Sequence, residues 1–205
     1  MKRRGGFTLI EMIGVLAVIA ILAAMVAPKI FKVINDSRVT RMAGDIRGIS
    51  SGVADWYKDL RTLNPLAAAG TIVTTDDTAW DGQLMTNGGT TATTGLWSRW
   101  QGPYIDGVGS ITSIGDGAVI ENCASDGAAP SATTCAGVSF DDNATADVAA
   151  NRRIVWLTLQ NVAVADFEAL DEIMDPGMAT ATIESRGKVK YDATGLVLRV
   201  YLASN

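Results

Sequence analysis

The stretch FTLIEMIGVLAVIAILAAMVA, residues 7–27, decides how the rest of the chain is read. Apart from Thr8, Glu11 and Gly14, every residue in it is apolar. As an α-helix rising about 1.5 Å per residue, the run is about 31 Å long, the thickness of a bilayer's hydrocarbon core. It predicts a membrane span over 7–27. Glu11 is the exception, because a carboxylate among apolar side chains is costly and needs a partner or a purpose.

Working outward, the preceding residues MKRRGG form a short leader with three cations, two glycines and no apolar stretch of its own. A secretory signal has an apolar region of roughly 7–15 residues and a small-x-small site after it. Here the run is longer, its alanines contain no A-x-A, and Pro28 follows Ala27 directly. A plain membrane anchor would account for the run, but not for Glu11 or the paired glycines. Charge alone does not orient the span, since Lys29 and Lys32 flank its far end as Lys2, Arg3 and Arg4 flank the near one.

KRRGG followed by FTLIE resembles the class III signal of type IV pilins and of the pseudopilins of type II secretion. The resemblance rests on the leader and the start of the helix. It implies that a prepilin peptidase on the cytoplasmic side cuts between Gly6 and Phe7, that the new amine of Phe7 is methylated, and that Glu11 becomes the fifth mature residue. It further implies a homo-oligomeric helical filament, with an assembly platform protein and an ATPase as partners. The subunit would wait in the bacterial inner membrane and end in a periplasmic or cell-surface filament. In such a filament the Glu11 carboxylate of one copy can meet the Phe7 amine of its neighbour. That pair sets an axial register more than it adds stability, because buried ion pairs roughly break even against desolvation.

Composition narrows the alternatives. The 205 residues carry a formal charge of −5, and losing the three leader cations takes it to −8. Nucleic-acid binding is disfavoured, since it calls for a basic stripe. The absence of histidine excludes Ser-His-Asp and Cys-His catalysis and ordinary zinc sites. No local motif supports an enzyme. Cys123 and Cys135 lie twelve apart in ENCASDGAAPSATTC; in an exported domain they read as one disulfide, worth about 3 kcal/mol by the chain-entropy model, with two thiols as the alternative.

Beyond Pro28, which is expected to kink the helix, apolar residues continue at mostly three- and four-residue spacing: Phe31, Ile34, Val39, Met42, Ile46, Ile49, Val53, Trp56 and Leu60. Charged residues fall between them, which predicts an amphipathic continuation over 28–60 lying against a domain. Asp36 and Ser37 could instead cap a separate helix, and Gly44, Gly48 and Gly52 weaken the pattern. Asn64-Pro65 ends it, and residues 70–95, rich in Thr, Gly, Asp and Asn, read as a loop. The sequon Asn143-Ala144-Thr145 is a glycosylation candidate.

LWSRWQGPYI, residues 96–105, predicts a short helical turn ended by Gly102-Pro103. Its G-P-Y resembles the major pseudopilin of secretion systems. Trp97, Trp100 and Tyr104 read as core or subunit-contact residues. Residues 107–122 suggest a hairpin turning at Gly115-Asp116-Gly117. Asp141, Asp142 and Asp147 are calcium candidates by their clustered carboxylates, set against a solvated loop; the spacing does not fit an EF-hand, and no other cofactor is expected.

The last third is regular: a strand over 154–159, a helix over 163–174, a turn at Asp175-Pro176-Gly177, and strands around 181–191 and 195–202. Leu196, Leu198, Val200 and Leu202 share one strand face, which sends Lys188, Lys190 and Arg199 to solvent or an edge. The expected fold is α+β and pilin-like, a long N-terminal helix packed on a C-terminal antiparallel sheet. The expected parts are a leader at 1–6, a span at 7–27, the amphipathic continuation at 28–60 and an exported domain at 61–205. The functions in play are a filament subunit for adhesion, motility or a surface fibre, a secretion pseudopilin, and a membrane-tethered binding protein that does not polymerise.

Overall fold

The computed structural model describes residues 6–67, 69–74, 80–86, 95–108, 114–125, 138–140, 146–177 and 187–204. Two compact units divide the chain, Met1–Ser37 and Arg38–Asn205. Helix α1, Leu9–Leu60, runs through both, and Pro28 lies inside it without ending it. Lacking an N–H, Pro28 leaves the carbonyl of Ala24 without its helical donor. The helix also continues through Asp36 and Ser37, so the separate capped helix does not form.

In the first unit the apolar side chains of α1 are exposed, from Leu9 at 78% to Ile34 at 52%. Its most apolar window has a mean hydropathy of 2.7 and none of it is buried, so the helix is long and apolar enough to cross a membrane.

In the second unit α1 buries Val39, Met42, Ala43, Ile46, Ile49, Gly52, Val53, Trp56 and Leu60. Phe31 and Ile34, counted in the same stripe by spacing, are exposed: periodicity marks a face but not where its cover begins. Gly52 has a specific role. A Cβ there would stand 2.6 Å from the Tyr104 carbonyl oxygen and from the Ile105 side chain, so only glycine lets that backbone lie against the helix.

Four strands, β1 (Asp116–Ala124), β2 (Arg153–Gln160), β3 (Val189–Asp192) and β4 (Val197–Ser204), form an antiparallel sheet ordered β1-β2-β4-β3. Two short helices join it, α2 (Asp81–Met85) and α3 (Val164–Met174), with a 3₁₀ turn at Gly95–Arg99. The result is the α+β arrangement expected. Val155, Leu157 and Leu159 of β2 and Leu198, Val200 and Leu202 of β4 pack with the buried face of α1 in one core. Gly177 takes a φ of +88°, as the third position of a type II turn requires.

Several details depart from the sequence reading. Helix α2 lies within residues 70–95, read as a loop, and of the strand expected around 181–191 residues 181–186 lie outside the described residues, β3 beginning at Val189. Of the hairpin expected over 107–122, residues 109–113 lie outside the described residues, and Asp116–Ala124 is a strand paired with β2, with Asp116 opposite Gln160 and Cys123 opposite Ile154. Gly115 and Gly117 serve its start, one pressed against the Gln160 carbonyl and the other at φ +58°, where two turn-forming glycines can equally mark an irregular strand end. Leu196 leaves the buried face of β4 because it sits at φ +53° in the turn from β3 and is 40% exposed. Lys190, assigned to solvent or an edge, is fully buried, its Nζ 5.3 Å from the centre of the Trp156 ring.

The cause of the last departure is a second cluster on the opposite face of the sheet. Cys123, Val138, Val148, Ile154 and Trp156 pack there with Tyr201 against them, so β2 is covered on both sides and its residues 154–159 are all buried. Alternation told the two faces apart, but not that both are buried.

Candidate functional site

The residues read from sequence as the processing and assembly site open α1. Gly6, Phe7 and Thr8 precede the helix and are exposed, Phe7 at 84%. Thr8 donates its backbone N–H and its hydroxyl to Oε2 of Glu11, each at 2.8 Å, and the Glu11 N–H points back to the Thr8 hydroxyl at 3.4 Å. This is a capping box. Thr8 stands at the N-cap and Glu11 three residues on, and the two side chains satisfy backbone donors that the first turn would otherwise leave open. The sequence reading gave Glu11 only to a neighbour's amine and missed this intrachain role, although T-x-x-E ahead of an apolar run is its signature.

The arrangement has a chemical consequence at the Gly6–Phe7 bond. That bond lies outside the helix, one residue before the cap, so hydrolysis there would break none of the three Thr8–Glu11 contacts. A new Phe7 amine would stand next to a helix start already occupied by a carboxylate. Both bonds go to Oε2, and neither uses Oε1.

The remaining candidates lie elsewhere. Cys123 is fully buried in β1, while Cys135 falls outside the described residues, and with it the expected bridge. Asp141, Asp142 and Asn143 also fall outside them. Asp147 accepts the Phe140 N–H at 2.8 Å and donates its own N–H to the Val138 carbonyl at 2.6 Å. Among the described residues no three His, Cys, Asp or Glu come together as a metal site.

Of the aromatic residues of 96–105, Trp97 is buried in the core, and Trp100 and Tyr104 pack against it half-buried. Trp56 is met edge-on by Trp80, Trp97 and Tyr104 at 5.0, 6.2 and 5.8 Å. The indole N–H groups of Trp56, Trp97 and Trp100 donate to the carbonyls of Thr62, Ala67 and Gln83. Tyr104 donates to Asp59 at 2.9 Å, and burial pushes its hydroxyl up to about 12.

Asp171 of α3 escaped the sequence reading. It is 4% exposed, Oδ1 has no hydrogen-bond partner, and burial, with Asp175 and Glu172 nearby, pushes it up to about 7. Asp175 accepts the backbone N–H groups of Lys188 and Val189, tying the end of α3 to β3. The position of Asp171 beside Leu170 on the buried face was readable from the helical period, since Leu170 and Asp171 follow Phe167 by three and four residues.

Residues 1–27 match the family model described as the prokaryotic N-terminal methylation motif. That match is confined to the N-terminal segment, and it supports the resemblance to type IV pilins and pseudopilins. The chain is 39% identical over 57 residues to the type II secretion system core protein G of Pseudomonas aeruginosa. The matched stretch is 28% of this chain and 39% of that relative, so the likeness spans well under half of each. No solved structure matches the chain. An exposed apolar helix behind a prepilin-type motif fits anchoring in the inner membrane.

Proposed function

We propose that this chain is a structural subunit of a type IV pilus-like filament, working by assembly and not by catalysis. Prepilin peptidase would cut Gly6–Phe7 and methylate Phe7. The subunit would wait in the inner membrane through residues 7–27, and a platform protein and an ATPase would draw it into a periplasmic or cell-surface filament. Glu11 would set the register against the Phe7 amine of a neighbour, and Pro28 would supply the bend where the span ends. The observation that carries this reading is the capped helix start, with a fixed Glu11 carboxylate one turn from the bond to be cut and an apolar helix exposed behind it.

A second reading, a pseudopilin whose filament serves type II secretion, is favoured by the similarity to core protein G of that system. A deletion strain separates the two: loss of surface fibres with secretion intact supports a pilus, and loss of secreted enzymes supports a pseudopilin. Mass spectrometry of the mature N-terminus tests both together. A methylated Phe7 is expected, and a retained leader on protein recovered from cells overturns the filament reading in either form.

A further inference from the structure

Two grooves of opposite charge flank α1 at the same level. One, of about 350 Å³, runs between Gly44, Asp45 and Gly48 of α1 and the backbone at Tyr104–Asp106. The other, of about 290 Å³, lies between Arg47 and Ser50 of α1 and Met174, Lys188 and Leu202. With 3.6 residues per turn, Asp45 and Gly48 stand roughly 160° around the axis from Arg47 and Ser50. The first groove thus carries two carboxylates and the second two cations, on opposite flanks of one helix.

Neither flank is filled from within the described chain. A Cβ on Gly44 or Gly48 would meet nothing within 4 Å, whereas Gly52, one turn on, is packed tightly. Asp45 has only a long exposed contact with Arg41 at 3.9 Å, and Lys188 feels Asp175; Arg47 and Asp106 take part in no ion pair among the described residues.

We propose that the two flanks are the halves of one contact between copies of this chain, the acidic flank of one copy receiving the basic flank of the next. Different patches on the same chain meet head to tail, and when the rotation does not close, such a contact propagates as an open helical array. Charge gives the pairing its force. Copies carrying −5, or −8 without the leader cations, repel each other unless opposite charges are brought together where they touch. The proposal rests on the filament reading above and names the surfaces by which subunits recognise each other.

Charge reversal tests it in the full-length chain in its producing cells, with sheared filament quantified against total subunit. Asp106→Lys and Arg47→Glu are each expected to lower the filament fraction by about tenfold, and the double variant to recover most of it, because the swapped charges attract again. Both residues are exposed, and an unchanged melting temperature of each purified variant shows that the fold is kept. Unimpaired filaments from both single variants, or a double variant as poor as the singles, would overturn the flank pairing while leaving the filament reading standing. Absence of filaments from the parent chain would instead overturn that reading.

Discussion

The N–H and the hydroxyl of Thr8 converge on one oxygen of Glu11, each at 2.8 Å. A carboxylate that looks stranded in an apolar run is therefore held within its own helix.

Thr8→Val removes the hydroxyl and keeps the side-chain shape. Amide exchange at Thr8, Glu11 and Met12 should quicken in detergent-solubilised protein, because the first turn loses its cap. Thr8→Ser should exchange as the parent does. Equal rates in the Val variant would mean that the box does not hold the helix start.

Two glycines of α1 should respond in opposite directions. Gly52→Ala forces a methyl to within 2.6 Å of the Tyr104 carbonyl and is expected to cost about 1–3 kcal/mol. Gly48→Ala meets nothing and should add about 0.5–1 kcal/mol by helix propensity. Thermal unfolding of the two variants side by side gives the comparison.

Asp171 makes stability depend on pH. Its folded value of about 7 lies above the ordinary 3.8, so the folded protein holds the proton more tightly than the unfolded chain. The contribution is complete below about pH 4 and is lost as pH rises through 7, at a slope of at most about 1.4 kcal/mol per pH unit, less where water screens the group. Asp175, also raised by burial, acts in the same sense. Denaturant titrations between pH 4 and 8 should show the decline, and Asp171→Asn should flatten it.

Trp56 joins the helix to the 80–105 segment through three edge-on aromatic contacts. Trp56→Ala is expected to cost about 3–5 kcal/mol, and Tyr104→Phe, which loses only the bond to Asp59, about 1 kcal/mol. Chemical denaturation separates the two magnitudes.

Much of this architecture was legible because its signals are periodic. The stripe Val39–Leu60, the helix ending at Met174 and the buried side of β4 at Leu198, Val200 and Leu202 follow from 3.6- and 2-residue repeats. What escaped depends on cover, which a repeat does not encode. Phe31 and Val39 have the same spacing and opposite exposure, and Lys190 alternates outward yet meets Trp156 and not water. The pairing of β1 with β2 was hidden for another reason: 28 residues, 125–152, separate the strands, and no local turn announces such a contact. At the candidate site the apolar run drew attention to Glu11 as an anomaly, which obscured its ordinary function as a cap.

The borders of the sheet carry a last implication. One border is a strand of only four residues, Val189–Asp192, and the other breaks register between Asp116 and Val119. The first is too short to template a stranger's backbone, and the second already gives its Ile120 carbonyl to the Trp80 N–H, so both borders are blunted against ribbon-like aggregation.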